Sequence, residues 1–118
     1  WSREEAERVL QRLMKHKEAR PFNKPVDPVE LDLPDYFQVI SEPMDLGTVK
    51  TGLENGDYDD KTEEFARHVR LVFRNAMEYN QDGDVIWNSA RKLLSIFEEC
   101  LPDIEDGVAA ARARREEE

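Results

Sequence analysis

Apolar residues recur at helical spacing in four separate segments of this 118-residue chain. In the first segment Ser2 and Glu5 form a capping-box pair, which predicts a helix from about Arg3 to Lys17. A second helix is predicted after Asp45, whose carboxylate can cap its first turn, and the Asn55-Gly56 pair terminates it.

The second half of the chain predicts two longer helices. One begins at Thr62 and ends near Asn80, and the other is capped by Asp84 and stopped by Pro102. Short connections between the last three helices make them antiparallel neighbours, and no segment has the pattern of paired strands. The chain is therefore predicted to be an all-α, four-helix bundle.

A proline-rich segment separates the first two helices and is too long to be a simple connection. It runs from about Ala19 to Met44 and holds five of the six prolines, which prevent a regular helix or an inner strand. A short helical turn around Tyr36–Ile40 is compatible with its sequence. Long loops in small domains are usually functional or disordered, and the apolar content of this one argues against disorder. We therefore interpret it as an ordered binding loop.

Apolar side chains in this loop are numerous enough that we expect them to be buried. They are Phe22, Val26, Val29, Leu31, Leu33, Tyr36, Phe37, Val39 and Ile40.

The net charge of −10 makes direct binding to nucleic acid unfavourable and favours a cationic partner. Six acids against two bases lie between Arg20 and Asp45, so part of this excess is on the loop itself. No apolar run reaches the length of a membrane span, so we expect no membrane partner. The single cysteine cannot form an internal disulfide.

Residue types that carry catalysis or bind metals are not grouped in any recognised motif. His16 and His68 are the only histidines, and their charged neighbours predict solvated surface positions. Zinc and calcium motifs, a glycine-rich phosphate loop and a nucleophile with its base are all lacking. We predict no enzyme activity, no cofactor and no metal site.

Tyr79 and Asn80 form a polar pair at the end of the third long helix. Taken alone, Asn80 has an ordinary explanation, because asparagine is favoured at helix ends that need the left-handed backbone conformation. Tyr79, Tyr36 and Phe22 could likewise be ordinary core aromatics.

The order of the motifs favours a more specific interpretation. RPFNKPVDP, LPDYFQVISEPMDLGTVK, FARHVRLVFRNAMEYN and VIWNSARKLLSIFEE follow one another in an arrangement that closely resembles a bromodomain, over roughly Ser2 to Leu101. The resemblance implies a left-handed four-helix bundle with a long, ordered loop between the first and second helices. It also implies an apolar pocket for the acetylated side chain of lysine.

The same resemblance assigns roles to individual residues. Asn80 matches the asparagine that donates to the acetyl carbonyl, and Tyr36 matches the tyrosine that reaches that carbonyl through a water molecule. Phe22, with Pro21 beside it, matches the floor of the pocket near the acetyl methyl group. Val26, Leu31 and Leu33 match the loop residues that form the walls of the pocket. Tyr79 matches the aromatic residue just before the asparagine, and Ile86 takes the position often called the gatekeeper.

One position departs from the family pattern. Many bromodomains that read histone acetylation have a tryptophan before the Pro-Phe pair, where it forms a hydrophobic shelf. Arg20 occupies this position here. The expected consequence is an altered preference among peptides.

The sequence therefore predicts a binding module for acetylated lysine, with histone tails as partners and the nucleus as its location. We expect residues 1–107 to form the bromodomain, monomeric as an isolated unit, and 108–118 to be a charged tail, either a frayed helix or disordered. The alternative is a structural or protein-interaction bundle of the same fold that does not bind acetyl-lysine.

Overall fold

A computed structural model describes residues 1–106, and the predicted tail at 108–118 lies outside them. The described chain contains five α-helices and one short 3-10 helix, and it has no strand. The helices are α1 (Arg3–Lys15), α2 (Tyr36–Val39), α3 (Leu46–Glu54), α4 (Thr62–Tyr79) and α5 (Val85–Asp106), and the 3-10 helix is Arg20–Phe22. Because α2 is a single turn within the long loop, the four longer helices confirm the predicted all-α, four-helix bundle.

The predicted capping residues explain where two of the helices begin. The Ser2 side chain accepts from the backbone N–H of Glu5 at 3.2 Å, and the Asp45 carboxylate accepts from the N–H of Thr48 at 3.0 Å. After α3 the chain turns at Gly56, whose φ of 81° is a left-handed conformation that glycine adopts without strain.

Apolar faces of all four long helices meet in one core. Phe65 and Phe73 from α4 and Phe97 from α5 are fully buried there. Phe65 contacts Phe97 edge-on, with ring centroids 6.1 Å apart. These residues lie at the helical spacing that the sequence pattern predicted.

The prediction that Pro102 stops the last helix is wrong. Helix α5 continues through Pro102 to Asp106, although an internal proline removes one helical hydrogen bond and crowds the preceding turn. Ile104 is fully buried beyond the proline, and its carbonyl accepts from the N–H of Ser2 at 2.9 Å. Burial against α1 therefore outweighs the local cost of the proline.

The first helix ends two residues before its predicted limit. It stops at Lys15, because His16 has an extended backbone with φ −61° and ψ 143°. The His16 ring then accepts from the N–H of Glu18 through Nδ1. This local bond replaces a further helical turn and begins the long loop.

Three contacts fix the loop against the bundle. The Asn23 side chain donates to the carbonyl of Met14 at 3.0 Å, and the Asn75 side chain donates to the carbonyl of Glu42 at 2.8 Å. At Gly47 the backbone of α3 passes so close to the loop that a Cβ there would lie 2.6 Å from the carbonyl oxygen of Asn23. A side chain at position 47 would therefore push the loop away from the helix.

Burial of the loop's apolar residues is less complete than predicted. Phe22, Tyr36 and Ile40 are buried, and Val26 and Leu33 are half-buried. The prediction is wrong for the other four, which are exposed: Val29, Leu31, Phe37 and Val39.

Candidate functional site

A cavity of about 510 Å³ opens between the long loop, the end of α4 and the start of α5. All nine residues that the sequence assigned to the pocket line it: Pro21, Phe22, Val26, Leu31, Leu33, Tyr36, Tyr79, Asn80 and Ile86. They come from three parts of the chain that the fold brings together. Their contact with a ligand remains a prediction.

Asn80 lies immediately after the last residue of α4 and faces this cavity. Its backbone is extended, with φ −91° and ψ 155°, so the left-handed conformation that often selects asparagine at helix ends is not used here. The side-chain amide donates to the Ala76 carbonyl at 2.9 Å, and this bond fixes its orientation. A carboxamide has two N–H donors, and the described residues provide a partner for one. The second is therefore available to an acceptor in the cavity.

Phe22 forms the floor of the cavity because the 3-10 helix turns its side chain into the core. The ring is 4% exposed and contacts Phe73 of α4 edge-on, with centroids 5.4 Å apart. Pro21 precedes it at a position where a proline fits the start of a helix. This end of the cavity is therefore apolar and closely packed.

Tyr36 begins the short helix α2 and lies with its ring almost fully buried. It packs edge-on against Tyr79, with ring centroids 5.1 Å apart. Burial raises the pKa of the Tyr36 hydroxyl, so the phenol stays neutral in the ordinary pH range. The hydroxyl makes no hydrogen bond within residues 1–106, which leaves it able to bind water or a ligand.

The family model for bromodomains matches residues 6–92, a span that contains every residue lining the cavity. The chain belongs to the bromodomain family. Bromodomains bind acetylated lysine peptides, so the chain belongs to a family of acetyl-lysine reader modules. The family is one of binding modules rather than enzymes.

Curated relatives of this bromodomain include several plant proteins. Transcription factor GTE3, chloroplastic, from Arabidopsis thaliana is 53% identical over 91 residues, which are 77% of this chain and 20% of that protein. Transcription factor GTE10 from the same plant is 42% identical over 108 residues, 92% of this chain and 10% of that protein. An ankyrin repeat, bromo and BTB domain-containing protein from Dictyostelium discoideum is 43% identical over 91 residues, 77% of this chain and 11% of that protein. The chain thus spans a fifth or less of the length of these relatives.

The walls of the bromodomain cavity range from half-buried to exposed. Val26 and Leu33 are half-buried, whereas Leu31 is 56% exposed and Ile86 is 37% exposed. Exposed apolar side chains at the edge of an apolar cavity can be covered by a bound peptide. This placement explains why Leu31 is not part of the core, although its residue type suggested burial.

Five further residues line the cavity without having been assigned to it from the sequence. They are Arg20, Lys24, Met44, Val72 and Ala76. The last two belong to the apolar face of α4, so their spacing predicted only a core position. Arg20 was noticed as a departure at the shelf position, and nothing in the sequence distinguished Lys24 from other surface lysines.

His68 is not the solvated surface histidine that its charged neighbours predicted. Its ring is half-buried, lies 2.6 Å from the Tyr58 hydroxyl through Nδ1, and lies 2.9 Å from Glu64 through Nε2. Within residues 1–106 no group of three or more His, Cys, Asp or Glu side chains is placed to hold a metal ion. No helix in this range is long and apolar enough to cross a membrane.

Proposed function

We propose that this bromodomain binds the acetylated side chain of lysine in the cavity between the long loop and the end of α4. The observation that carries the proposal is the second amide hydrogen of Asn80, which has no partner within the described chain and lies at an apolar cavity. This donor meets the acetyl carbonyl, and the neighbouring Tyr36 hydroxyl provides a second polar group for a bridging water. The acetyl methyl group lies toward Phe22.

The apolar lining explains why acetylation is required. An unmodified lysine would bring a charged ammonium group into this lining, and removing its hydration costs several kcal/mol. Acetylation removes the charge and leaves an aliphatic stem that ends in an amide. If the amide is missing, the Asn80 donor stays unpaired, and this penalises other occupants.

A single acetyl-lysine should bind weakly. Burying about five methyl or methylene groups contributes roughly 0.8 kcal/mol each, and one hydrogen bond adds about 1 kcal/mol. Ordering a flexible peptide offsets much of this gain. Flanking contacts and additional binding modules then determine selectivity and total affinity.

We further propose histone tails as the source of the acetylated lysine and the nucleus as the site of action. The names of the curated relatives support a role in transcription, although one of them is also named chloroplastic. We also propose residues 1–107 as the domain, and support for a limit beyond the end of the family match comes from the buried Ile104 and its bond to Ser2. The isolated domain is proposed to be monomeric.

The test compares acetylated and unmodified histone-tail peptides by isothermal titration calorimetry. Wild-type protein is expected to bind the acetylated peptide selectively, and Asn80→Ala is expected to weaken that binding at least about tenfold because the donor is removed. Gln81→Ala is the matched control, because Gln81 is exposed and does not line the cavity. Equal affinity of wild type and Asn80→Ala, with both proteins folded by circular dichroism, would show that the asparagine does not bind the ligand. Failure to distinguish the two peptides would favour the structural bundle instead.

A further inference from the structure

The charged residues that line the cavity differ in sign from the net charge of the chain. The chain carries a net charge of −10, but no carboxylate from residues 1–106 lines the cavity. Within the part of the chain that the structure describes, the charged residues in its lining are two cations, Arg20 and Lys24. The charged side chains in the cavity lining itself are therefore positive, although exposed Glu30 and Asp32 lie beside Leu31 in the loop.

Four of the six acids between Arg20 and Asp45 already bind groups within the described chain. Asp27 accepts from two backbone N–H groups of its own turn, and Asp45 caps α3. Asp35 accepts from the Tyr79 hydroxyl, and Glu42 pairs with Arg67 at 3.1 Å. Only two of the six acids, both exposed, are without such a bond in the described structure, and these are Glu30 and Asp32.

The two cations have no such partners. Arg20 and Lys24 are exposed and make no hydrogen bond or ion pair through their side chains within residues 1–106. Glu18 is the acid nearest to Arg20 in the sequence, but its carboxylate is engaged by Lys92 at 2.7 Å and by Ser89 at 2.9 Å. It therefore does not neutralise Arg20. Both cations remain free to bind an anion from outside the chain.

We infer that Arg20 and Lys24 select acetyl-lysine peptides that carry an anionic side chain, a phosphate or a carboxylate, close to the modified lysine. This inference rests on the proposed function of the same cavity. Arg20 offers a planar set of N–H donors that suits phosphate and carboxylate oxygens, and Lys24 adds a second positive charge. A phosphoserine carries close to two negative charges near neutral pH and is the stronger of the two anions.

The exposed position of the two cations places the anion on a flanking residue. The acetyl group itself is expected to reach Asn80 and the buried Phe22, whereas Arg20 and Lys24 lie at the solvent edge of the cavity. A tryptophan at position 20 would offer an apolar surface to the same flanking residue. The arginine changes this surface from one that accepts apolar groups into one that accepts negative charge.

The experiment measures peptide affinity by calorimetry at low ionic strength. One acetyl-lysine peptide is prepared with serine, phosphoserine, glutamate or lysine at each of the three positions on either side of the acetyl-lysine. Unacetylated serine and phosphoserine peptides complete the set. The proteins are wild type, Arg20→Gln/Lys24→Gln and, as a control with the same change in net charge, Lys17→Gln/Lys50→Gln, two exposed lysines outside this cavity.

The readout is the ratio of affinities for the phosphoserine and serine peptides. Wild type and the control are expected to show a ratio of about five at one or more positions, and the Arg20→Gln/Lys24→Gln variant a ratio near one. If glutamate raises the affinity as much as phosphoserine does, a carboxylate is sufficient. If phosphoserine alone raises the affinity, the two cations select a phosphate. Either result supports the inference. Added salt should reduce the preference.

Three results would overturn the inference. The first is a wild-type ratio of one or less at every position, and the second is a ratio that the Arg20→Gln/Lys24→Gln variant leaves unchanged. In both cases the acetylated serine peptide would still bind better than its unmodified form, so the proposed function would stand. The third is equal binding of acetylated and unacetylated peptides, which would remove the proposed function together with the inference.

Discussion

The hydroxyl of Tyr79 donates a 2.7 Å hydrogen bond to the carboxylate of Asp35, across 44 positions of the sequence. Tyr79 is the last residue of α4, and Asp35 precedes the first residue of α2. The bond therefore ties the helix end that carries Asn80 to the loop that carries Tyr36. These are the two residues whose polar groups are proposed to meet the acetyl carbonyl.

Removing the Tyr79 hydroxyl should loosen this connection. We expect Tyr79→Phe to keep the fold and to weaken binding of an acetyl-lysine peptide by about threefold, because Asn80 and Tyr36 are then held less firmly relative to each other. Calorimetry with the acetylated peptide measures the effect. Tyr58→Phe is a matched control, since it removes a tyrosine hydroxyl that bonds to His68 and does not line the cavity. If both variants bind equally well, the Tyr79–Asp35 bond does not organise the site.

A second prediction concerns stability at alkaline pH. The pKa of each of the three tyrosines is raised: by burial at Tyr36, chiefly by burial at Tyr58, and chiefly by the hydrogen bond to Asp35 at Tyr79. The folded state therefore holds these protons more tightly than the unfolded chain does. Their contribution to the free energy of unfolding is complete below the ordinary tyrosine pKa of about 10 and is lost as pH rises through the folded values.

Two measurements check this prediction. Ultraviolet absorbance should show tyrosinate forming at higher pH in the folded protein than in urea, and urea titrations should give a free energy of unfolding that falls above about pH 10. Tyrosine ionisation at the same pH in the folded and unfolded protein would contradict it.

Asn75 provides a third prediction, because its side chain is 6% exposed and supports the loop from within α4. Its amide donates to the Glu42 carbonyl at 2.8 Å, so Asn75→Ala leaves that carbonyl without its partner. The free energy of unfolding should fall by about 1–3 kcal/mol. Chemical denaturation measures this change.

Asn88→Ala is the matched control for this substitution. Asn88 is exposed, and within residues 1–106 its side-chain amide bonds only to the Gly83 carbonyl, so the expected change is within about 0.5 kcal/mol. Equal losses in the two variants would show that Asn75 does not anchor the loop more strongly than a surface asparagine does.

Much of the fold was predictable because its helices are amphipathic and have recognisable capping residues. Ser2 and Asp45 cap their helices as the sequence indicated. The end of α5 was not predictable from local rules, because the burial of Ile104 against the rest of the bundle overrides Pro102. The local sign of this packing is that Ile104 continues the helical spacing of Phe97 and Leu101 past the proline.

The candidate site could be assembled from the sequence only through the family resemblance. Phe22, Tyr36 and Asn80 lie far apart in the chain, and no periodicity connects them. Residue type alone also gave the wrong expectation for Leu31, because an apolar side chain can face an open cavity as well as a core. Val72 and Ala76 were expected to be core residues and were not recognised as cavity residues, because both kinds of position on α4 have the same apolar spacing.

The bond between Ser2 and Ile104 has an architectural consequence. It holds the start of α1 beside the last turns of α5, whereas the cavity lies near the first turn of α5. Ile86 lines the cavity and Ile104 lies 18 residues further along α5, which corresponds to a separation of about 27 Å along the helix axis. In a longer polypeptide, the start of α1 and the last turns of α5 would lie at one end of the bundle, and the cavity would lie at the other. Such a domain could be inserted into different proteins, or repeated in one, without its neighbours covering the cavity.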